Sequence, residues 1–160
     1  MRKRFIPSLL LLLMAVAVQT LLPLVSGKLT IANPFLALLT VLALRAGKLS
    51  GLLWGAFLGA LCDAYFLPYV GFHGTAFTLL GYLLGWIGSK VMLQGVVPLA
   101  FFGWASYIVD AGLVALLYLL LGLPLAAPFF FPVLLGSVVT GLMAAGFELA
   151  ARKLFPEERP

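Results

Sequence analysis

Six runs of apolar residues follow one another along the chain, each ended by a short stretch of glycine, proline or basic residues. Several run to about 20 residues, the length of a helix that crosses a bilayer. Backbone in lipid must satisfy its own hydrogen bonds, which leaves helices or closed barrels. Glycine- and alanine-rich runs of this length are helices. Composition points the same way: 64% of the 160 residues are hydrophobic and 9% are charged, against roughly 45–50% and about 25% in a soluble domain. The chain therefore reads as an all-α, polytopic membrane protein forming a single transmembrane domain, residues 1–160.

The runs cover about 5–25, 31–44, 49–67, 72–89, 96–121 and 129–151. The second is short. Sixteen residues separate Lys28 from Arg45, about 24 Å of helix against a hydrocarbon core of ~30 Å. It is either a thin span or a re-entrant piece. Charge decides between them. If all six cross and the first begins in the cytoplasm, Arg2, Lys3, Arg4, Arg45, Lys48, Lys90, Arg152, Lys153 and Arg159 lie inside and Lys28 alone lies outside. If the second does not cross, only Arg2, Lys3 and Arg4 stay inside. The positive-inside rule selects six spans with both termini cytoplasmic. The net charge of +5 is thus read as membrane orientation, not as nucleic-acid binding. Tyr65, Phe66, Tyr69 and Phe72 cluster at one outer boundary, and Phe129, Phe130 and Phe131 at another, as aromatic belts do at an interface. The opening MRKRFIPSLLLLLMAVAVQT has the pattern of a signal peptide. Its apolar run continues through Leu24 and Val25, so a retained helix is expected.

In the third run Gly47, Gly51, Gly55, Gly59 and Asp63 are spaced by four, and Gly81 and Gly85 echo this in the fourth. That spacing puts small residues on one helical face, where another helix can approach closely. The face serves either packing within the chain or a partner interface. Three carboxylates lie inside the runs: Asp63, Asp110 and Glu148. An ionisable group in a bilayer is expensive and normally faces protein. Glu148 stands four residues before Arg152, the favoured order for a helical ion pair. Asp63 and Asp110 either hold the bundle together or line a path for a proton or substrate. His73 is expected near Asp63 if the turn YFLPYVGF folds back.

With one histidine and one cysteine in the chain, a metal site is not expected. Cys62 reads as a small buried hydrophobe. There is no GxSxG, Walker or dinucleotide motif, so neither an enzyme nor a bound cofactor is expected.

Gly55-x-x-x-Gly59-x-x-x-Asp63 with Gly71 eight residues on, YIVDAGLVALLY with Asp110 mid-helix, IANPFLALLTVLAL with Asn33 and Pro34, and TGLMAAGFELAARKLF with Arg152 and Lys153 together resemble the MreD family of the bacterial rod-shape machinery. The chain departs from that family at Leu67, where a glycine is frequent, and in the order Asn33–Pro34. The resemblance implies a non-enzymatic scaffold of cell elongation and peptidoglycan synthesis in the cytoplasmic membrane. Its implied partners are MreC, and through it RodA, a class B penicillin-binding protein and MreB, with membrane lipid around it. It also implies a six-helix bundle similar to the S-components of energy-coupling-factor vitamin transporters. Two expectations follow. As a scaffold, the chain would bind the transmembrane helix of MreC on its glycine face, with Gly51, Gly55, Gly59, Asp63, Gly71, Gly81, Gly85 and Asp110 as packing or interface residues. As an S-component, it would present an outward polar cavity with Asp63, His73 and Asn33 or Thr75 as ligand contacts. A proton-coupled transporter using Asp63 and Asp110 is a third reading.

Overall fold

In the computed structural model, residues 2–25, 31–66, 71–91, 95–124 and 130–154 are described. They form six α-helices: α1 (Arg2–Val25), α2 (Pro34–Ala46), α3 (Lys48–Phe66), α4 (Phe72–Lys90), α5 (Val96–Leu120) and α6 (Phe130–Leu154). No strand occurs among the described residues. The helices match the six apolar runs, each to within a few residues. Of the expected aromatic belts, Tyr69, Phe129 and the side chain of Phe66 lie outside the described residues.

The shortest helix is the centre of the molecule. Every residue of α2 from Pro34 to Leu44 is buried, and α2 packs against all five other helices. A helix that is apolar all round belongs in a core, and IANPFLALLTVLAL has no polar face to expose. Asn33 starts it, accepting the Leu36 amide at 3.1 Å, with Pro34 in the first turn, where a missing N–H costs nothing. Gly47 ends it at φ +84, a conformation open to glycine, and α3 begins at the next residue.

Around α2 the helices form two tight pairs, α3 with α4 and α5 with α6; α1 lies against α2 and α6. The α5–α6 pair closes on small residues: a Cβ on Gly103 would stand 2.6 Å from that of Ala144, and one on Gly141 would stand 2.8 Å from the Ala100 carbonyl oxygen. α4 and α5 meet much less extensively than either pair.

The outer surface is greasy. Val97, Phe101, Leu119 and Leu120 on α5, and Phe130, Phe131, Leu134 and Leu142 on α6, are all exposed, Phe130 by 88%. Such a surface is unfavourable in water. By length and composition α5 and α6 can each cross a membrane. Arg45, Lys48, Lys90, Arg152 and Lys153 gather where α2, α4 and α6 finish and α3 begins, here the basic end. The opposite end carries the α3–α4 turn.

Candidate functional site

Asp63 is 1% exposed, and both of its oxygens are used. The Gly71 and Gly74 amides donate to Oδ2 at 2.8 and 2.9 Å, and the His73 amide donates to Oδ1 at 2.9 Å. These are amides at the start of α4, which have no partner within their own helix. The carboxylate thus caps α4 from the preceding helix, at the positive end of its dipole. Gly71 makes the arrangement possible. Its φ of +108 turns the chain into α4 while its amide points back at Asp63. Asp63 and Gly71, eight residues apart in the sequence, are therefore one structural device.

The glycine face of α3 is filled from within the chain. A Cβ on Gly51 would lie 2.2 Å from the Gly81 carbonyl oxygen, on Gly55 2.1 Å from that of Phe77, and on Gly59 2.5 Å from that of His73. From the other side, a Cβ on Gly81 would lie 2.1 Å from the Gly51 oxygen and one on Gly85 2.5 Å from the Gly47 oxygen. Five glycines thus bring the α3 and α4 backbones into contact along their length, as small residues allow in membranes. Of the two roles read from the sequence, packing within the chain is the one found: α4 occupies the face on which the scaffold expectation had placed a partner helix.

His73 sits between two carboxylates. Its amide caps onto Asp63, while its ring turns away, with Nδ1 3.3 Å from each oxygen of Asp110. Asp110 is buried on α5, so the contact ties α4 to α5. The expected meeting of His73 and Asp63 occurs through the backbone, and the side-chain partner is Asp110. Beside them, Asn33 Nδ2 donates to Cys62 Sγ at 3.2 Å, the Asn33 amide donates to Thr140 Oγ1 at 3.1 Å, and Tyr107 donates to the Ile31 carbonyl at 2.6 Å. These bonds join α2 and the residues leading into it to α3, α6 and α5.

At the basic end Glu148, buried on α6, pairs with Arg152 at 2.8 Å as its spacing requires. It also receives Arg45 from α2 through two bonds, at 2.7 and 3.1 Å. The second arginine lies 103 residues away in the chain, and no local pattern announces it. A carboxylate held by two guanidinium groups is neutralised where it is buried, and their exposed portions keep the cluster hydrated at its edge.

Between α4 and α5 lies a groove of about 900 Å³. Leu52 and Ala56 of α3, Gly74, Thr75, Thr78, Leu79 and Tyr82 of α4, and Leu113, Leu116 and Leu117 of α5 line it. The two threonine hydroxyls are spent on their own helix: Thr78 donates to the Gly74 carbonyl at 2.6 Å and Thr75 to that of Gly71. The lining is therefore effectively apolar. Sequence reading missed the groove entirely, although the stripe Leu99, Gly103, Ser106 and Asp110 continues to Leu113 and Leu117 at helical spacing. Among the described residues no group of three or more His, Cys, Asp or Glu side chains is placed to hold a metal ion.

The molecule is thus defined as a helical bundle whose described buried ionisable groups are tied to neighbouring helices and whose described residues form an apolar groove. Comparison with protein-family models, with curated proteins and with solved structures found no match to the chain.

Proposed function

We propose that this chain is a non-enzymatic scaffold of the bacterial cell-elongation machinery, similar to MreD, which crosses the cytoplasmic membrane six times. The basic end faces the cytoplasm, in keeping with the positive-inside rule. In this reading the groove between α4 and α5 receives the transmembrane helix of MreC, and through MreC the chain helps to organise RodA, the class B penicillin-binding protein and MreB. The sequence resemblance supplies the names of the partners.

The observation that carries the proposal is the groove itself. It extends along α4 from Gly71 to Tyr82, about 16 Å of helix rise, or roughly three turns of a docked helix. Gly74, Thr75, Thr78 and Ala56 are small enough to let a second backbone approach, and packing of that kind drives helix association in lipid. The S-component reading needs free polar groups around a ligand. Asp63 spends both of its oxygens on α4, Asn33 caps α2 and bonds Cys62, and Thr75 bonds its own helix. That distribution favours the scaffold.

The test is affinity purification of the tagged protein from its native membrane in mild detergent, with mass spectrometry of the proteins that accompany it. The scaffold reading expects MreC, with or without the wall synthases. Paired ATPases and a coupling membrane subunit in place of MreC would overturn it in favour of a vitamin transporter.

A further inference from the structure

The two halves of α5 are held very differently. Up to Asp110 the helix carries a buried stripe, Leu99, Gly103, Ser106 and Asp110, and it is pinned by Tyr107 to Ile31 and by Asp110 to His73. From Ala111 to Pro124 no residue is buried. The stripe positions Leu113 and Leu117 line the groove and are only partly buried. The change comes at Gly112. A Cβ built there meets nothing within 4 Å, so no close packing requires a glycine, although glycine in a helix interior costs roughly 1 kcal/mol relative to alanine. Gly146 on α6 is also unopposed, but its neighbours Phe147 and Glu148 are buried and hold that helix in place. The residues that follow Gly112 in α5 are all at least partly exposed. The segment beyond it ends in a second glycine turn, Gly122 at φ +67. Near that end Tyr118 meets Phe72 of α4 edge to face, with ring centroids 5.1 Å apart.

We propose that Gly112–Leu120 is a gate on the groove: α5 bends at Gly112, the Phe72–Tyr118 contact is the latch, and opening swings Leu113, Leu116 and Leu117 away from α4. The His73–Asp110 pair sits just before the bend and anchors the fixed half of the helix against α4. A weakly packed segment that borders a cavity and follows a glycine is where a helix changes direction at least cost. The gate belongs to the chain alone, whatever molecule fills the groove.

Its motion is measured by double electron–electron resonance on the purified full chain in nanodiscs, with no partner added. Spin labels go on Leu53→Cys of α3 and Leu120→Cys of α5, both at exposed sites, in a Cys62→Ser background that leaves Asn33 an acceptor. Two distance populations are expected. Gly112→Ala adds its methyl to open space and leaves the fold intact. It should lower the longer-distance population about fivefold, the ratio that matches the helix preference of alanine over glycine. Tyr118→Ala should raise that population. A single narrow distribution in the background protein, a longer population that Gly112→Ala leaves unchanged, or no response to Tyr118→Ala would each overturn the gate. Because no partner enters the experiment, these outcomes do not depend on whether MreC binds.

Discussion

Besides the central α2, α4 has α3 on one side and α5 on the other, and it meets these two in opposite ways. Against α3 it is packed backbone to backbone, glycine facing glycine, with Asp63 sealing the turn between them. Against α5 it is joined by His73 to Asp110 and by Phe72 to Tyr118, and between these contacts the interface opens into the groove. In the membrane placement proposed above no hydrophobic effect draws helices together, so closeness of packing decides which interfaces are permanent. The α3–α4 interface is therefore a fixed part of the fold. The α4–α5 interface has unused packing capacity, and that is the property expected of a place where something else binds or moves.

The sharpest way to break this contrast is to add bulk at the first interface. Gly55→Leu puts a side chain where even a Cβ would lie 2.1 Å from the Phe77 carbonyl, and overpacking of this kind costs about 3 kcal/mol or more. The variant should fail to accumulate as a monodisperse species on detergent size-exclusion chromatography. A normal profile would mean that α3 and α4 are not locked. The profile also serves the proposed partner test, because failure of a misfolded variant to recover MreC would report on the bundle and not on a docking face.

Removing the cap comes next. Asp63→Ala leaves three α4 amides without their acceptor, at roughly 1–3 kcal/mol for each one that stays buried and unpaired. Asp63→Asn keeps one acceptor oxygen and loses the charge that favours the helix N-terminus, at about 1–2 kcal/mol. Thermal unfolding in detergent should rank wild type above Asn and Asn above Ala. Equal losses for the two variants would show that the charge alone matters, and no loss would remove Asp63 from the fold.

The smallest effects sharpen the comparison by matching like with like. Leu58 on α3 is fully buried, whereas Leu117 on α5 lines the groove. Leu58→Ala should cost roughly 1–3 kcal/mol through lost contacts and the cavity left behind. Leu117→Ala has few contacts to lose and should stay within about 0.5 kcal/mol. If the two leucines cost the same in thermal unfolding, the groove is closed in the folded protein.

Much of this architecture is legible in the sequence, for physical reasons. Each apolar run stops at a glycine, a proline or a basic residue, so the helix limits can be read directly. The i,i+4 pair of Glu148 and Arg152 is local and equally plain. The standing of α2 is harder to see. Its shortness suggests a weak span, yet between Pro34 and Leu44 Thr40 is the one polar residue, which fits a helix enclosed on every side, and Thr40 is satisfied by the Leu36 carbonyl at 2.9 Å. The cap escapes sequence reading because capping rules look immediately before a helix, whereas Asp63 reaches α4 across a turn from the helix before it. Arg45 and Glu148, or Tyr107 and Ile31, meet only through tertiary structure. The glycine face is plain as a pattern, but one sequence does not say which helix fills it. The groove is the least legible feature, since a wall of leucines looks the same whether it faces a helix, lipid or a partner.

The most direct test of the account is site-specific photo-cross-linking in living cells. A photoreactive amino acid would replace Leu79 or Leu116, which line the groove, or Leu142, exposed on α6. The account predicts an adduct with MreC from Leu79 and Leu116 and none from Leu142. An adduct from Leu142 alone, or none from the groove positions while MreC still co-purifies, would place the partner on another face and contradict it.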